Sequence, residues 1–577
     1  MSNPSSRSPG WWRSAVVYQI YPRSFADSDG DGIGDIRGIT GRLDHLTELG
    51  VDAVWLSPIY PSPQIDNGYD ISDYRAVDPT FGTLDDLDVL IAGLHERGIK
   101  LVMDLVVNHT SDRHRWFVES RDPTSAKRDW YWWRPARSGR SPGEPGAEPT
   151  DWRSFFGGPA WTYDPERGEY YLHLFAPQQP DLNWEHPDVR AAVYEMMRWW
   201  VGRGVDGFRM DVINMISKPR GLVVGGDDTT WASNAASTLN GPRLHEFLAE
   251  MNREVGLDDQ HLLTVGEMPG ATIDVARLAT DPDRHELNMV FTFEHVWLDQ
   301  VAGGSKWDVK ELSLTDLKQN LAAWQTGLAD AGWNSLYLDN HDQPRQVSRF
   351  GDDRTEHRVS SAKTLATVLH LHRGTPYVYQ GSELGMTNNA FADISQYADV
   401  ESLNHYAEAI ANGAEPSTVL AALAARSRDH ARTPMQWDGS PHAGFTTGTP
   451  WLAVNPNHRT INAEAQRADP DSVFHHVKAL IRLRHEHPVV VDGTFELLLP
   501  DDEQIWAFTR TLDDTMLLVI ANWSASPVEV PRHGLADLGG SRVLLATHRE
   551  SRATTLQPWE SRVLQLARRS EGAPSGG

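Results

Sequence analysis

Short apolar runs that end in polar residues recur along most of the chain, and segments with apolar residues at helical spacing lie between them. Eight of these runs predict strands, at residues 15–21, 53–56, 101–107, 207–210, 262–265, 289–291, 335–338 and 376–379. Helical patterns follow the strands, as between Leu84 and Leu94, where the apolar residues share one face and Gly98 ends the pattern. Because strands that alternate with helices are typical of parallel βα units, we expect an α/β protein with a (β/α)8 TIM barrel.

The spacing of the strands predicts one large insertion in the barrel. The third strand ends near His109 and the fourth near Asp211, so the connection between them is far longer than one helix requires. We therefore expect an inserted lobe at residues 109–183. Within it, seven of the fifteen residues at 135–149 are Gly or Pro, which predicts an exposed loop.

Two smaller interruptions and a change of pattern complete the expected organisation. Gly225-Gly226 predicts a loop after strand four, and residues 399–428 predict a helical insertion after strand eight. From about Thr494 onward strands follow one another without helices, which predicts a C-terminal antiparallel β-sandwich. The expected parts are therefore a barrel at 11–108 and 184–493, a sandwich at 494–569, and tails at 1–10 and 570–577.

Charge and composition narrow the classes of partner and cofactor. Lys and Arg total 53 against 79 Asp and Glu, and the formal charge of −26 repels nucleic acids and anionic membranes. No apolar run reaches the roughly 18 residues of a membrane helix, and the first ten residues lack the apolar segment of a signal peptide. We expect a cytoplasmic protein that is a monomer or a weak homo-oligomer. The chain has no cysteine, so disulfides and thiolate chemistry are excluded and any metal must bind oxygen or imidazole.

The chemistry is expected at the carboxyl ends of the barrel strands, where such barrels carry their reactive groups. Three carboxylates would meet at this mouth, from the fourth, fifth and seventh strands: Asp211, Glu267 and Asp342. Like charges raise one another's pKa, so such a group is costly unless it serves a function. A single carboxylate at a strand end would suggest only a helix cap or a surface ion pair, whereas three together predict a catalytic site.

Four segments at these strand ends resemble the signature regions of the α-amylase superfamily of glycoside hydrolases: DLVVNH at 104–109, GFRMD at 207–211, VGE at 265–267 and NHD at 340–342. QPDLN at 179–183 is similar to a fifth region, which marks the oligo-1,6-glucosidase branch. The resemblance extends in order from about Trp11 to the C-terminal sandwich. It implies a retaining, exo-acting α-glucosidase that releases glucose from the non-reducing end of short oligosaccharides and needs no organic cofactor.

The resemblance leaves other activities open. An α-glucosidase that prefers α-1,4 bonds, or that hydrolyses sucrose and transfers glucosyl units, is the main alternative. Sucrose isomerases are disfavoured because the Arg-Leu-Asp-Arg-Asp type of loop that they carry is absent around residues 301–310. Some members of the superfamily are non-catalytic subunits of amino-acid transporters, but those have a membrane helix and lack the three carboxylates.

The resemblance assigns a role to each carboxylate. Asp211 is implied to be the nucleophile and Glu267 the general acid/base of the two-carboxylate mechanism. Asp342 is implied to hold sugar hydroxyls and to stabilise the oxocarbenium-like transition state. Arg209 lies two residues before the nucleophile on the same side of its strand, so we expect its guanidinium to keep Asp211 ionised.

The resemblance also implies a set of residues that contact the substrate: Tyr69, Asp70, His109, Arg209, Val212, His341 and Arg432. Tyr69 would stack on the sugar, and the two histidines would donate hydrogen bonds to it. Asp70 would pair with Arg432 to close the end of the pocket, with Arg428 as the less favoured partner. The valine at position 212 indicates a preference for α-1,6 bonds, since similar enzymes that cut α-1,4 bonds have Ala or Thr there. The alternative is that Val212 only fills the top of the barrel.

A loop after the first strand has the ligand spacing of an EF-hand. Asp27, Asp29, Asp31 and Asp35 occupy positions 1, 3, 5 and 9, and the carbonyl of Ile33 occupies position 7. Position 12 is Gly38 rather than Glu, which removes the bidentate ligand. We therefore expect a structural Ca²⁺ or Mg²⁺ bound by this loop alone, rather than a turn without metal.

Overall fold

The protein is described by a computed structural model that covers residues 10–219, 238–531, 541–548 and 554–566. Eight parallel strands form its central sheet, and we number them along the chain as β1 Val17–Ile20, β2 Ala53–Leu56, β3 Lys100–Val106, β4 Gly207–Asp211, β5 Leu263–Glu267, β6 Met289–Phe291, β7 Ser335–Leu336 and β8 Thr375–Tyr379. Their order is β7-β8-β1-β2-β3-β4-β5-β6, and a parallel bridge between Val290 and Asn334 closes the sheet into a barrel. The predicted (β/α)8 barrel is confirmed.

The barrel strands are buried along almost their entire length, as parallel strands are when helices cover the sheet. Two strands are shorter than predicted: β1 is limited to Val17–Ile20, and β7 ends at Leu336, although Tyr337 and Leu338 are buried. The principal outer helices, one after each strand, are Leu43–Leu49, Leu84–Glu96, Pro187–Gly202, Leu244–Val255, Ile273–Thr280, Leu314–Gly327, Arg358–Leu371 and Val473–Glu486. Shorter helices occupy Ile36–Thr40, Glu294–Trp297, Gln346–Arg349, Asp429–Arg432, Ala463–Ala468 and Pro488–Asp492.

The connection between β3 and β4 contains a separate small sheet. Its three antiparallel strands are Trp133–Arg134, Trp161–Asp164 and Glu169–Leu172, and a helix at Arg115–Ser120 precedes them. Residues 135–149 contain neither helix nor strand and are mostly exposed, so the predicted loop is confirmed. The lobe has its own apolar core, which includes Trp132 and Trp161 and also Val212 at the end of β4.

The remaining parts of the chain follow the predicted order. Two helices, Val400–Ala411 and Pro416–Arg426, form the insertion after β8. The C-terminal part is an antiparallel sheet of five strands, at Thr494–Leu498, Ile505–Leu512, Thr515–Asn522, Ser561–Gln565 and Arg542–Ala546, beside a two-stranded sheet at Val528–Glu529 and Thr555–Leu556. The Gly225-Gly226 loop lies outside the described residues. In the part of the chain that is described, no helix is both long and apolar enough to span a bilayer.

Candidate active site

One buried arginine joins three carboxylates at the centre of the site. β3, β4 and β5 are adjacent, and their register places Asp104 opposite Arg209. Arg209 Nη1 lies 2.7 Å from Asp211 Oδ1 and 2.9 Å from Asp104 Oδ1, and its Nη2 lies 2.7 Å from Glu267 Oε2. The predicted nucleophile and acid/base are therefore held by the same guanidinium. Asp104 was not singled out from the sequence, although it begins the first signature segment.

The charges of this group do not balance, because one guanidinium faces three carboxylates. Burial and the carboxylates of Glu267 and Asp104 raise the pKa of Asp211 well above its usual range, although Arg209 opposes the shift. Arg209 lowers the pKa of Asp211, as expected, but burial acts in the opposite direction, so the role of Arg209 in keeping Asp211 ionised stays a prediction.

Val212 connects the nucleophile to the acid/base through its backbone. Its N–H donates a 3.0 Å hydrogen bond to Glu267 Oε2. Its φ of 36° and ψ of 41° are left-handed, a conformation that a β-branched residue rarely adopts. Strain of this kind persists only where the surroundings enforce it, and here it aims the amide at Glu267. Val212 as a whole residue is 8% exposed, and its side chain packs in the core of the lobe.

The third carboxylate, Asp342, is held by two arginines from the segment after β8 and by the neighbouring His341. Its Oδ1 lies 2.7 Å from Arg432 Nη2 and 3.3 Å from Arg428 Nη1, and its Oδ2 lies 3.2 Å from His341 Nε2. Burial opposes ionisation, but His341 and the two arginines outweigh it and hold the pKa of Asp342 well below its usual range. Asp342 is 28% exposed at its side chain, so this anion is open to a ligand.

The predicted pair between Asp70 and Arg432 is wrong. Asp70 is fully buried and accepts hydrogen bonds from Ser62 Oγ at 2.8 Å and from the backbone N–H groups of Ile65 and Asp66. These bonds occupy its carboxylate within its own loop. Within this loop, the carboxylate that contacts an arginine from the segment after β8 is that of Asp66, whose Oδ1 lies 3.1 Å from Arg428 Nη2. Burial raises the pKa of Asp66 to about 7.

Tyr69 and His341 form a stacked pair beside the carboxylates. Their ring centroids are 5.1 Å apart with an angle of 12° between the planes. The Tyr69 hydroxyl donates to Asp104 Oδ2 at 2.9 Å, and Gln19 Nε2 lies 2.8 Å from His341 Nδ1. One face of Tyr69 is therefore covered by His341, so the predicted stacking on a sugar could use only the other face.

His109 is nearly completely buried at the end of β3. Its Nε2 lies 3.1 Å from the carbonyl oxygen of Tyr69, and Asn108 Nδ2 lies 3.2 Å from its Nδ1. Burial lowers the pKa of His109 to about 4, so the ring is neutral at pH 7. Lys218, which the sequence reading missed, supports this corner: its Nζ lies 2.8 Å from Asp181 and 3.0 Å from Asn108 Oδ1.

In the EF-hand-like loop, three of the five predicted ligand residues lie close together. One carboxylate oxygen from each of Asp27, Asp29 and Asp35 lies within 4.8 Å of the others, a spacing that a cation with 2.3 to 2.6 Å bonds to oxygen can bridge. Asp31 is outside this group, and burial with the charges of Asp29, Asp27 and Asp35 raises its pKa. Gly32 is required by the turn: its φ is 94°, and a Cβ there would lie 1.9 Å from the carbonyl oxygen of Thr449. These oxygen donors fit a hard cation.

The barrel and its paired carboxylates define a glycoside hydrolase. A model of the family "Alpha amylase, catalytic domain" matches residues 19–493, and the chain belongs to this family. An oligo-1,6-glucosidase from Parageobacillus thermoglucosidasius is 55% identical over 565 residues, which cover 96% of this chain and 99% of that protein.

Solved structures agree with this family. The crystal structure of a trehalose-6-phosphate hydrolase from Bacillus licheniformis is 46% identical, with a TM-score of 0.91 over 97% of this chain and all of that one. An isomaltulose synthase from Klebsiella sp. LX3 is 41% identical, also with a TM-score of 0.91, over 97% of this chain and all of that one. The same fold and a related sequence therefore occur in proteins whose names describe different reactions.

Proposed function

We propose that this protein is an oligo-1,6-glucosidase that releases glucose from the non-reducing end of short α-linked oligosaccharides with retention of configuration. The observation that carries the proposal is the placement of Asp211 and Glu267 on the two nitrogens of one buried guanidinium, each at 2.7 Å. Retaining glycosidases need two carboxyl groups close together, one to attack C1 and one to protonate the leaving oxygen. The 55% identity to an oligo-1,6-glucosidase supports the choice of linkage.

The reaction proceeds in two displacements. A carboxylate oxygen of Asp211 attacks C1 and forms an ester bond, the glycosidic C1–O bond breaks, and a proton passes from the carboxyl group of Glu267 to the leaving oxygen. Glu267 then takes a proton from water as the water oxygen attacks C1 and the ester bond between C1 and Asp211 breaks, which releases glucose and restores the Asp211 carboxylate. Arg209 partly offsets the negative charge of both carboxylates throughout, since it contacts each of them.

Recognition of one terminal glucose is assigned to Asp342, Asp66 and the arginines between them. Arg428 contacts both carboxylates, at 3.3 Å from Asp342 and 3.1 Å from Asp66, and the three side chains form one wall. Such a wall suits the several hydroxyls of a sugar that ends in the pocket, because carboxylates and guanidinium groups form strong charge-assisted hydrogen bonds. Tyr69 completes the proposed sugar site, and the buried side chains of His109, His341 and Arg432 are proposed to support it from behind.

A structural Ca²⁺ or Mg²⁺ at Asp27, Asp29 and Asp35, with Asp31 and the Ile33 carbonyl as further ligands, is part of the proposal. Asp35 also caps the helix Ile36–Thr40 by accepting from the N–H of Gly38, so a bound ion would stabilise the start of that helix. The loop holds none of the three proposed catalytic carboxylates. The ion is therefore assigned to stability rather than to the reaction.

The proposal is tested by comparing glucose release from isomaltose, maltose, sucrose and trehalose 6-phosphate, with the anomer of the first product followed by NMR. We expect the highest kcat/KM with isomaltose and α-glucose as the initial product. The matched control, Asp211→Asn, should fold and bind glucose but lose nearly all turnover, because the covalent intermediate cannot form. Initial release of β-glucose would contradict retention, and more than a few per cent of activity in Asp211→Asn would contradict the assigned nucleophile.

A further inference from the structure

A buried aspartate from the insertion after β8 lies behind the arginines of the proposed sugar site. Asp399 is fully buried, and it precedes the helix Val400–Ala411 as its N-cap. Its Oδ2 accepts from the N–H of Ser402 at 3.3 Å and from the Ser402 hydroxyl at 2.9 Å. The other oxygen, Oδ1, accepts from Arg428 Nε at 3.0 Å and lies 3.5 Å from Arg432 Nη1.

The two oxygens of Asp399 therefore serve different partners. Oδ2 mainly satisfies the first turn of a helix, whereas Oδ1 lies between two guanidinium groups whose other nitrogens reach Asp66 and Asp342. Asp342 is open to solvent at its side chain, but Asp399 has no exposed surface. Asp399 thus cannot touch a sugar, and any effect on the substrate must pass through Arg428 and Arg432.

The orientation of Arg428 depends on this contact. A guanidinium has a rigid planar fork, and its direction is set when both the Nε edge and the Nη edge are bonded. Asp399 Oδ1 accepts from both Nε and Nη2 of Arg428, which leaves Nη1 directed to Asp342, while Nη2 also reaches Asp66. Without the Asp399 carboxylate, the ion pairs left to the two arginines among the described residues would be those with Asp66, Asp342 and the more distant Glu401, at 3.5 Å from Arg428 Nε.

We propose that Asp399 is a positioning residue, which fixes the Arg428–Arg432 pair against Asp342 and Asp66 and so preorganises the site that binds the terminal glucose. This inference rests on the proposed glucosidase function and extends it to a residue outside the signature segments. It also links the insertion to substrate binding, because the same carboxylate begins the helix Val400–Ala411. A residue that only capped this helix would affect stability without affecting the affinity of the folded protein for glucose.

The variant Asp399→Asn separates these two roles, because Asn is as good an N-cap as Asp but carries no charge. Asp399→Ser, a second neutral cap, serves if the Asn variant does not fold. The matched control is Asp393→Asn, which changes the exposed N-cap of the short helical turn Ile394–Gln396, just before the insertion; Asp393 accepts from the N–H of Ser395 and contacts neither Arg428 nor Arg432. We expect Asp399→Asn to lower kcat/KM for isomaltose at least about tenfold and to weaken glucose binding similarly, since it removes charge-assisted hydrogen bonds. Asp393→Asn should stay within about twofold of the wild type.

A double-mutant cycle with Arg428→Lys completes the test, because Lys has no fork for Asp399 to orient. We expect Asp399→Asn to have much less effect in that background. Wild-type glucose affinity in folded Asp399→Asn, or fully additive effects in the cycle, would overturn the proposal. A wild type that binds glucose but hydrolyses none of the tested glucosides would contradict the proposed function, while the glucose affinities of the variants would still decide the role of Asp399.

Discussion

The substitution Val212→Thr is expected to change the preference of the enzyme between α-1,6 and α-1,4 bonds. Val212 as a whole residue is 8% exposed, and its side chain packs in the apolar core of the lobe, so only a small part of the residue can meet a substrate. Thr has nearly the same shape and tolerates the left-handed backbone no better than Val, so the strain at φ 36° is unchanged. The substitution therefore amounts to exchanging one methyl group for a hydroxyl.

The exposed fraction sets the size of the expected effect. A hydroxyl directed into the lobe would lie among apolar side chains without a partner, which is costly, so the open side towards the site is favoured. There it could bond the second sugar of an α-1,4 disaccharide, which lies closer to the wall than that of an α-1,6 disaccharide. Contacts of this kind discriminate by about 1 to 3 kcal/mol, and the small exposed area places the expectation near the low end, about tenfold.

The measurement is kcat/KM for isomaltose and for maltose with the wild type, Val212→Thr and Val212→Ala. We expect the wild type to prefer isomaltose and the ratio to move towards maltose in Val212→Thr by about tenfold. Val212→Ala removes bulk without adding a hydroxyl, so an equal shift in both variants would assign the effect to space rather than to hydrogen bonding. A wild type that prefers maltose, or a ratio that does not move in Val212→Thr, would refute the role given to this side chain.

Two further predictions concern stability. Chelation with EDTA should lower the melting temperature without changing kcat of the folded enzyme at 25 °C, since a ligand that binds only the folded state stabilises it. An unchanged melting temperature in EDTA, together with wild-type calcium binding by Asp29→Ala, would contradict the metal site. Burial raises the pKa of Asp66 to about 7 from its ordinary 3.8. Between these two pH values the folded state therefore binds more protons than the unfolded state, so the stability of the wild type should fall as pH rises from about 4 to 7. The variant Asp66→Asn lacks this titrating group and should not show this loss. A difference in melting temperature that is constant across this range would show that Asp66 is not perturbed.

The sequence alone determined the barrel and the identity of the three main carboxylates. Strand periodicity is a local property, so the apolar runs located all eight strands within a few residues. The position of the active end follows from the fold class, because parallel barrel strands all present their carboxyl ends at one mouth. Asp211 and Glu267 could therefore be placed at this mouth before any distance was known, whereas their roles came from the resemblance of their segments to the α-amylase signature regions; the structure brings both to Arg209.

Which of two similar residues faces the pocket was decided only by the tertiary structure. Asp66 and Asp70 lie four residues apart in one loop, and Arg428 and Arg432 are separated by the same interval, so sequence spacing alone does not select the partners. The choice depends on competing hydrogen bonds: Ser62 and the backbone of the loop occupy Asp70, which leaves Asp66 for Arg428.

The charge state of the site also depended on distant parts of the chain. Asp104, Asp211 and Glu267 come from three strands, and only their convergence on one guanidinium makes the negative charge exceed the positive. Asp399 is farther still from the signature segments, and nothing in its local sequence distinguishes it from other helix caps such as Asp393. Local patterns encode elements and their ends, whereas pairing between buried charges depends on packing that brings remote segments together.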